Sequence, residues 1–184
     1  MEILPPTFHR RVRYDQVFVA DSPNGLGLFT SVALAANRAV GRIYGQRKPH
    51  GWRSDYCMEF ADGALEPDPP YRFINHSCDP NCVLIEWELS RGDELSGGEE
   101  NNRDEENTEK KNEESTTEPV YEMWLHTLRP VKKGEELTID YGWDAEAAIK
   151  CHCQSPKCRG WICRIEDLPR CLEMHKDDAS QQSN

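Results

Sequence analysis

The chain has 184 residues with 37% hydrophobic content and a net charge of −11, which suits a single domain with some of its length unpacked. Of that charge, −7 falls in the 30 residues from Ser90 to Pro119 (eleven acidic, four basic), so the remainder is close to neutral. Nothing in it resembles a signal peptide, no apolar run approaches the ~20 residues of a membrane span, and no lysine–arginine cluster marks a nucleic-acid surface. An intracellular location is expected, and eight cysteines in such a chain favour metal ligation over disulfides.

In chain order, a lead over 1–16 gives way to a strand at Val17–Ala20, a turn at Asp21–Gly25 and a returning strand at Leu26–Thr30. Gly25 and Gly27 permit either a plain hairpin or a close backbone approach to a ligand. Val40–Tyr44 and Tyr56–Phe60 read as strands joined by an irregular connection, and Pro67, Pro69 and Pro70 are expected to forbid regular structure before the next motif. Asn81–Leu89 and Val120–Leu128 are expected to pair as a hairpin with the acidic stretch at its tip. That stretch is too poor in apolar residues to order itself. Glu136–Tyr141 reads as a strand, Asp144–Lys150 as one or two helical turns, and a short helix is expected after Arg164, within a tail over 164–184. The architecture is mainly β, with many short strands.

Three stretches concentrate chemistry. One is Arg72-Phe73-Ile74-Asn75-His76-Ser77-Cys78-Asp79-Pro80-Asn81-Cys82, dense in polar and metal-capable side chains that a core strand would not carry. The second is Glu135-Glu136-Leu137-Thr138-Ile139-Asp140-Tyr141-Gly142. The third, Cys151-x-Cys153-x4-Cys158, places three thiols within eight residues and can wrap a tetrahedral zinc. A fourth ligand could come from Cys78, Cys82, Cys163, Cys171 or His152.

Together these motifs resemble the SET-domain protein-lysine methyltransferases. Asn24-Gly25-Leu26-Gly27-Leu28-Phe29 is similar to the family's first Gly-x-Gly segment. Asn75-His76-Ser77-Cys78-Asp79-Pro80-Asn81 is similar to its Asn-His-Ser-Cys-x-Pro-Asn signature. Gly134-Glu135-Glu136-Leu137-Thr138-Ile139-Asp140-Tyr141 is similar to its Gly-Glu-Glu-Leu-Thr-x-Asp-Tyr signature. The cysteine run with Arg159-Gly160-Trp161 is similar to the post-SET zinc segment.

The resemblance implies a SET domain over 17–143, a post-SET zinc segment over 144–163, and a fold of small curved sheets. The segment ending in Tyr141 would lie beside, or thread past, the Asn-His motif in a pseudoknot. It implies S-adenosylmethionine as methyl donor and, as partner, a protein with an exposed lysine, a histone or another basic protein. From composition no direct nucleic-acid binding and no membrane are expected, and the chain is expected to be a monomer. On the basis of the resemblance Tyr141 is the catalytic residue and Tyr56 a wall of the lysine channel. Leu26, Gly27, Leu28, Asn75, His76 and Tyr141 hold the cofactor, with Trp161 or Ile162 covering its adenine. Cys78 joins Cys151, Cys153 and Cys158 on a structural zinc. Ile139 departs from the Phe or Tyr usual two residues before the catalytic tyrosine, so the family rule for methylation degree does not carry over. The competing expectation is a non-catalytic, zinc-stabilised binding module that engages basic partners through the acidic stretch.

Overall fold

The computed structural model of the chain describes residues 16–61, 63–89 and 120–176. The expectations for most of the lead, for the acidic stretch at 90–119 and for the end of the tail lie outside them. Twelve short strands and one helix are described: β1 (Val17–Ser22), β2 (Gly25–Thr30), β3 (Ala39–Ile43), β4 (Gly45–Lys48), β5 (Met58–Phe60), β6 (Gly63–Pro67), β7 (Asn75–His76), β8 (Cys82–Leu89), β9 (Val120–Thr127), β10 (Thr138–Ile139), β11 (Ile149–Lys150), β12 (Trp161–Ile162) and α1 (Leu168–Met174). They form five small sheets, two of three strands and three of two. No helix among the described residues is long and apolar enough to cross a membrane.

The expected hairpins form. β1 pairs antiparallel with β2 from Val17↔Thr30 to Ser22↔Gly25, and Gly25 adopts φ +104°, which a side chain would resist. β8 and β9 pair along their whole length from Cys82↔Thr127 to Leu89↔Val120, and β3 joins β9 on the other side. Alternation follows: Leu84, Met123, Leu125 and Ile43 turn to the main core, which also holds Leu28, Val40, Val131, Leu137 and Ile139. Arg42, Glu122, Trp124 and His126 turn the other way, with Arg42 ion-paired to Glu122 and the indole of Trp124 donating to the same carboxylate at 3.0 Å.

Three expectations change. Tyr56–Phe60 is a strand only from Met58, because Ser54 folds the preceding residues into a turn: its Oγ accepts from Tyr56 N and its carbonyl from Cys57 N. Residues 45–48, read as connection, form β4. There a Cβ on Gly45 would stand 2.1 Å from the carbonyl oxygen of Glu66, so only glycine lets these two backbones meet. Pro67 closes β6 rather than preventing it, and the chain turns through a 3₁₀ turn at Tyr71–Phe73 only after Pro70. A proline costs a strand little at its last residue.

Glu136–Tyr141 also shrinks, to the two-residue β10. Among the described residues its one strand partner is β7, which it meets in parallel with Thr138↔Asn75 and Ile139↔His76. The flanking backbone is satisfied singly: Leu137 N donates to Leu28 O at 2.7 Å, Ser77 N to Ile139 O at 2.9 Å and Thr138 N to the side-chain oxygen of Asn81 at 2.9 Å. Asn81 is 2% exposed and also donates to Glu136 O, so one amide stitches the two motifs together. The segment leading to Tyr141 thus lies beside the Asn-His motif. A second, smaller core of Ala145, Ala148, Trp161, Cys163 and Cys171 carries the C-terminal part, with Leu168 of α1 packed on it.

Candidate active site

The parallel pair β7–β10 sets the site. Tyr141, two residues beyond β10, donates its amide to His76 Nδ1 at 3.2 Å and its hydroxyl to Ile74 O at 2.8 Å. Burial, helped by Glu136 and Tyr56, pushes the phenol up to about 12, so it is neutral at physiological pH. The ring of Tyr141 lies 5.3 Å from that of Trp143 and 5.4 Å from the imidazole of His76.

On its other side Tyr141 lines a cavity of about 250 Å³ with Tyr56, Trp143, Ile139, Met58 and Leu84. Tyr56 is 44% exposed, which places it at the rim of this cavity and not in the core. The guanidinium of Arg72 sits 4.3 Å over its ring. The charged groups of the rim are mixed: Arg53 pairs with Glu59 and Arg164 with Asp144.

Asn75 and His76 stand on opposite sides of this framework. The side-chain amide of Asn75 donates to Ser22 Oγ, Leu26 O and Glu136 Oε1 at 2.7–3.1 Å, tying the motif to the β1–β2 turn. Leu26 is exposed, and its carbonyl is one of those acceptors. Gly27 packs under Glu136, and a Cβ there would lie 2.3 Å from the carboxylate oxygen. Leu28 is fully buried in the main core, so only its backbone can face a ligand. Glu136 is a site residue that the motif contained but that no spacing rule singled out.

His76 is 5% exposed, and burial lowers its pKa to about 4. Its Nδ1 accepts from the Tyr141 amide, so the ring proton belongs on Nε2, which points at Cys78 Sγ 3.3 Å away. Ligand atoms of His76, Cys78, Cys151 and Cys153 all lie within 4.8 Å of one another. The Nε2 proton makes the imidazole a donor to the sulfur. Cys158 is not one of these four, but its thiol is close enough to influence both Cys151 and Cys153.

The geometry suits zinc. Cys78 and Cys151 sulfurs are 3.7 Å apart, and two thiolates on one tetrahedral zinc, with bonds of about 2.3 Å, stand about 3.8 Å apart. Backbone amides also point at the sulfurs: Cys153 N at Cys151 Sγ, 3.5 Å, and Gly160 N at Cys158 Sγ, 3.4 Å. Gln154 and Gly160 take positive φ to allow these turns. Among the other candidates, Cys82 lies in the main core, where burial pushes its thiol up to about 12, and Cys163 and Cys171 pack together in the second core.

Trp161 is 6% exposed and anchors the second core. His175 stacks on its ring at 4.2 Å and Lys150 Nζ lies 4.0 Å from the centroid. Its ring is therefore engaged, whereas its neighbour Ile162 is only partly buried.

The sequence model of the SET domain matches residues 25–142, well over half of the chain. The chain belongs to the SET domain family. The match begins at Gly25, where β2 starts, and takes in both motifs and Tyr141. This SET domain is 26% identical, over 84% of its length, to a histone-lysine N-methyltransferase, H3 lysine-36 specific, of Mycosarcoma maydis. It is 29% identical, over 62% of its length, to the histone-lysine N-methyltransferase ash1 of Drosophila melanogaster. It spans only 15% and 4% of those two proteins. Its fold aligns with the crystal structure of KRYPTONITE in complex with mCHG DNA and SAH, with a TM-score of 0.58 at 20% identity, over 83% of this chain and 30% of that one.

Proposed function

We propose that this SET domain transfers a methyl group from S-adenosylmethionine to the ε-amine of a protein lysine. The observation that carries the reading is the junction at Tyr141: one residue closes an aromatic cavity on one side and is held by the Asn75-His76 strand on the other. When bound, S-adenosylmethionine supplies an electrophilic methyl on a sulfonium. The protein must bring a neutral amine to it in line. Deprotonating a lysine of pKa ~10.4 at pH 7 costs about 4–5 kcal/mol. A cavity walled by Tyr56, Tyr141, Trp143, Ile139 and Leu84 lowers that cost by withholding water from the ammonium. Alignment supplies the rest. The Tyr141 hydroxyl orients the acceptor; because its pKa is so high, it does not serve as a base.

Asn75, His76 and the backbone of Leu26, Gly27 and Leu28 hold the donor. Ile162 covers its adenine, since the ring of Trp161 is already engaged by His175 and Lys150. Cys78, Cys151, Cys153 and Cys158 hold a structural zinc. The relatives named above point to a histone as the acceptor. Incubation with labelled S-adenosylmethionine and purified histones should give label on a lysine. Y141F should lower kcat about 10²-fold, the cost of a misplaced acceptor, while calorimetry still shows cofactor binding. Absence of transfer by the zinc-replete protein, together with no heat of cofactor binding, would return the domain to a binding module.

A further inference from the structure

Arg159 is a half-buried residue that the proposed chemistry leaves without a task. It lies one position after Cys158, and its side chain is 11% exposed. Its guanidinium grips Asp140 with both terminal nitrogens, at 2.8 Å to Oδ1 and 2.7 Å to Oδ2, and one of them also donates to Cys163 O at 2.9 Å. Its backbone amide lies near the Cys78 sulfur and helps to lower that thiol against the burial that raises it. One residue of the cysteine segment therefore approaches a cysteine of the Asn-His motif with its main chain and grips the residue before Tyr141 with its side chain.

Asp140 passes this on. Its Oδ1 accepts the amide of Gly142 at 3.3 Å, and Asp140 is itself the residue that precedes Tyr141. The backbone on both sides of Tyr141 is thus referenced to one carboxylate, and that carboxylate to Arg159. A lone apolar contact would leave the tyrosine free to rotate with its two-residue strand. A planar two-point fork fixes direction as well as distance.

We propose that Arg159 is a positioning residue for methyl transfer: through Asp140 it makes the placement of Tyr141 depend on the folded cysteine segment. This rests on the reading of Tyr141 as the residue that orients the acceptor lysine. It predicts that Arg159 and Asp140 act as one unit.

The test uses the full chain with R159K, D140N and the double variant R159K/D140N. Lysine keeps the charge and the stem but not the fork. Three readouts are needed: kcat against KM for S-adenosylmethionine, zinc per chain, and hydrogen exchange of the amides around Tyr141. Each single variant should lower kcat about 10- to 100-fold, the range expected for a misplaced catalytic group. Cofactor KM should change less than about twofold and zinc content should stay that of the parent, because no ligand is touched. The double variant should be no worse than the poorer single one. Exchange at Tyr141 and Gly142 should accelerate in R159K. Parental kcat in R159K, additive losses in the double variant, or losses that track zinc would each overturn the proposal. If the parent protein itself transfers no methyl group, the function assigned to the site fails; amide exchange then still decides whether Arg159 positions Tyr141.

Discussion

The two cores of this SET domain are held in different ways. The main one gathers thirteen buried side chains from both three-stranded sheets, the β1–β2 hairpin and the loops between them. The second gathers five, two of them alanines, and its β-structure amounts to two residues in each of β11 and β12. Burial at roughly 25 cal/mol per Å² can account for the first. The second is too small for that, and the thiols of Cys151, Cys153 and Cys158 lie just outside it, partly or fully exposed. The difference teaches where metal would matter: apolar burial sets the cavity lined by Tyr141, whereas the cysteine segment has too little of it and would gain most from the proposed ligation. Tyr141 lies where the two meet.

Metal removal should separate the regions most sharply. Zinc binding contributes about 10–16 kcal/mol in small structural sites, so a strong chelator should release residues 144–176 while β8 and β9 stay protected. Hydrogen exchange followed by mass spectrometry reads this directly, and a simultaneous loss of protection in both regions would break the comparison. L125A should do the converse. Leu125 is fully buried, and its truncation should cost about 2–5 kcal/mol in denaturant unfolding, with zinc content unchanged in the folded protein.

Acid offers a subtler probe. His126 is 3% exposed, both its ring nitrogens lack a partner among the described residues, and burial lowers its pKa. The unfolded chain therefore takes up this proton first, so the contribution is fully present above about pH 6.5 and shrinks as pH falls below it. H126L should lose less stability than the parent between pH 7 and 5. The smallest effect should come from K157A. Its ion pair with Asp79, 3.0 Å long, links the cysteine segment to the Asn-His loop, but Lys157 is 73% exposed. Such pairs are worth about 0–1 kcal/mol, so chemical melts should barely move.

Much of this organisation was legible in the chain itself. The β8–β9 hairpin announces itself through its branched and aromatic runs, and Gly25 through the positive φ of its turn. The cysteine spacing points to one metal, and Cys78, Cys151 and Cys153 do gather, with His76 and without Cys158, into a group that could hold one. Periodicity could not show what depends on distant partners. Tyr56 carries strand propensity, yet a serine two residues earlier takes its amide. Trp161 sits beside the cysteines but is claimed by Lys150 and His175. Glu136 and Arg159 sit inside recognisable motifs, but their tasks appear only when Asn75 and Asp140 are brought to them from 61 and 19 residues away.

The parallel pairing of Asn75 with Thr138 has a kinetic consequence. The ladder is two residues long and closes a chain that includes the whole β8–β9 hairpin, so it gains little until that hairpin has zipped. Refolding should therefore proceed in two stages, an early collapse around the hairpin and a later capture of the Tyr141 segment. Recovery of the proposed methyl transfer should lag recovery of tryptophan fluorescence. Loop-closure entropy grows only logarithmically, at about 0.6 kcal/mol per doubling. Excising residues 90–119 should therefore shorten that lag only modestly, and evolution could lengthen this tip at little cost to the rate at which the site assembles.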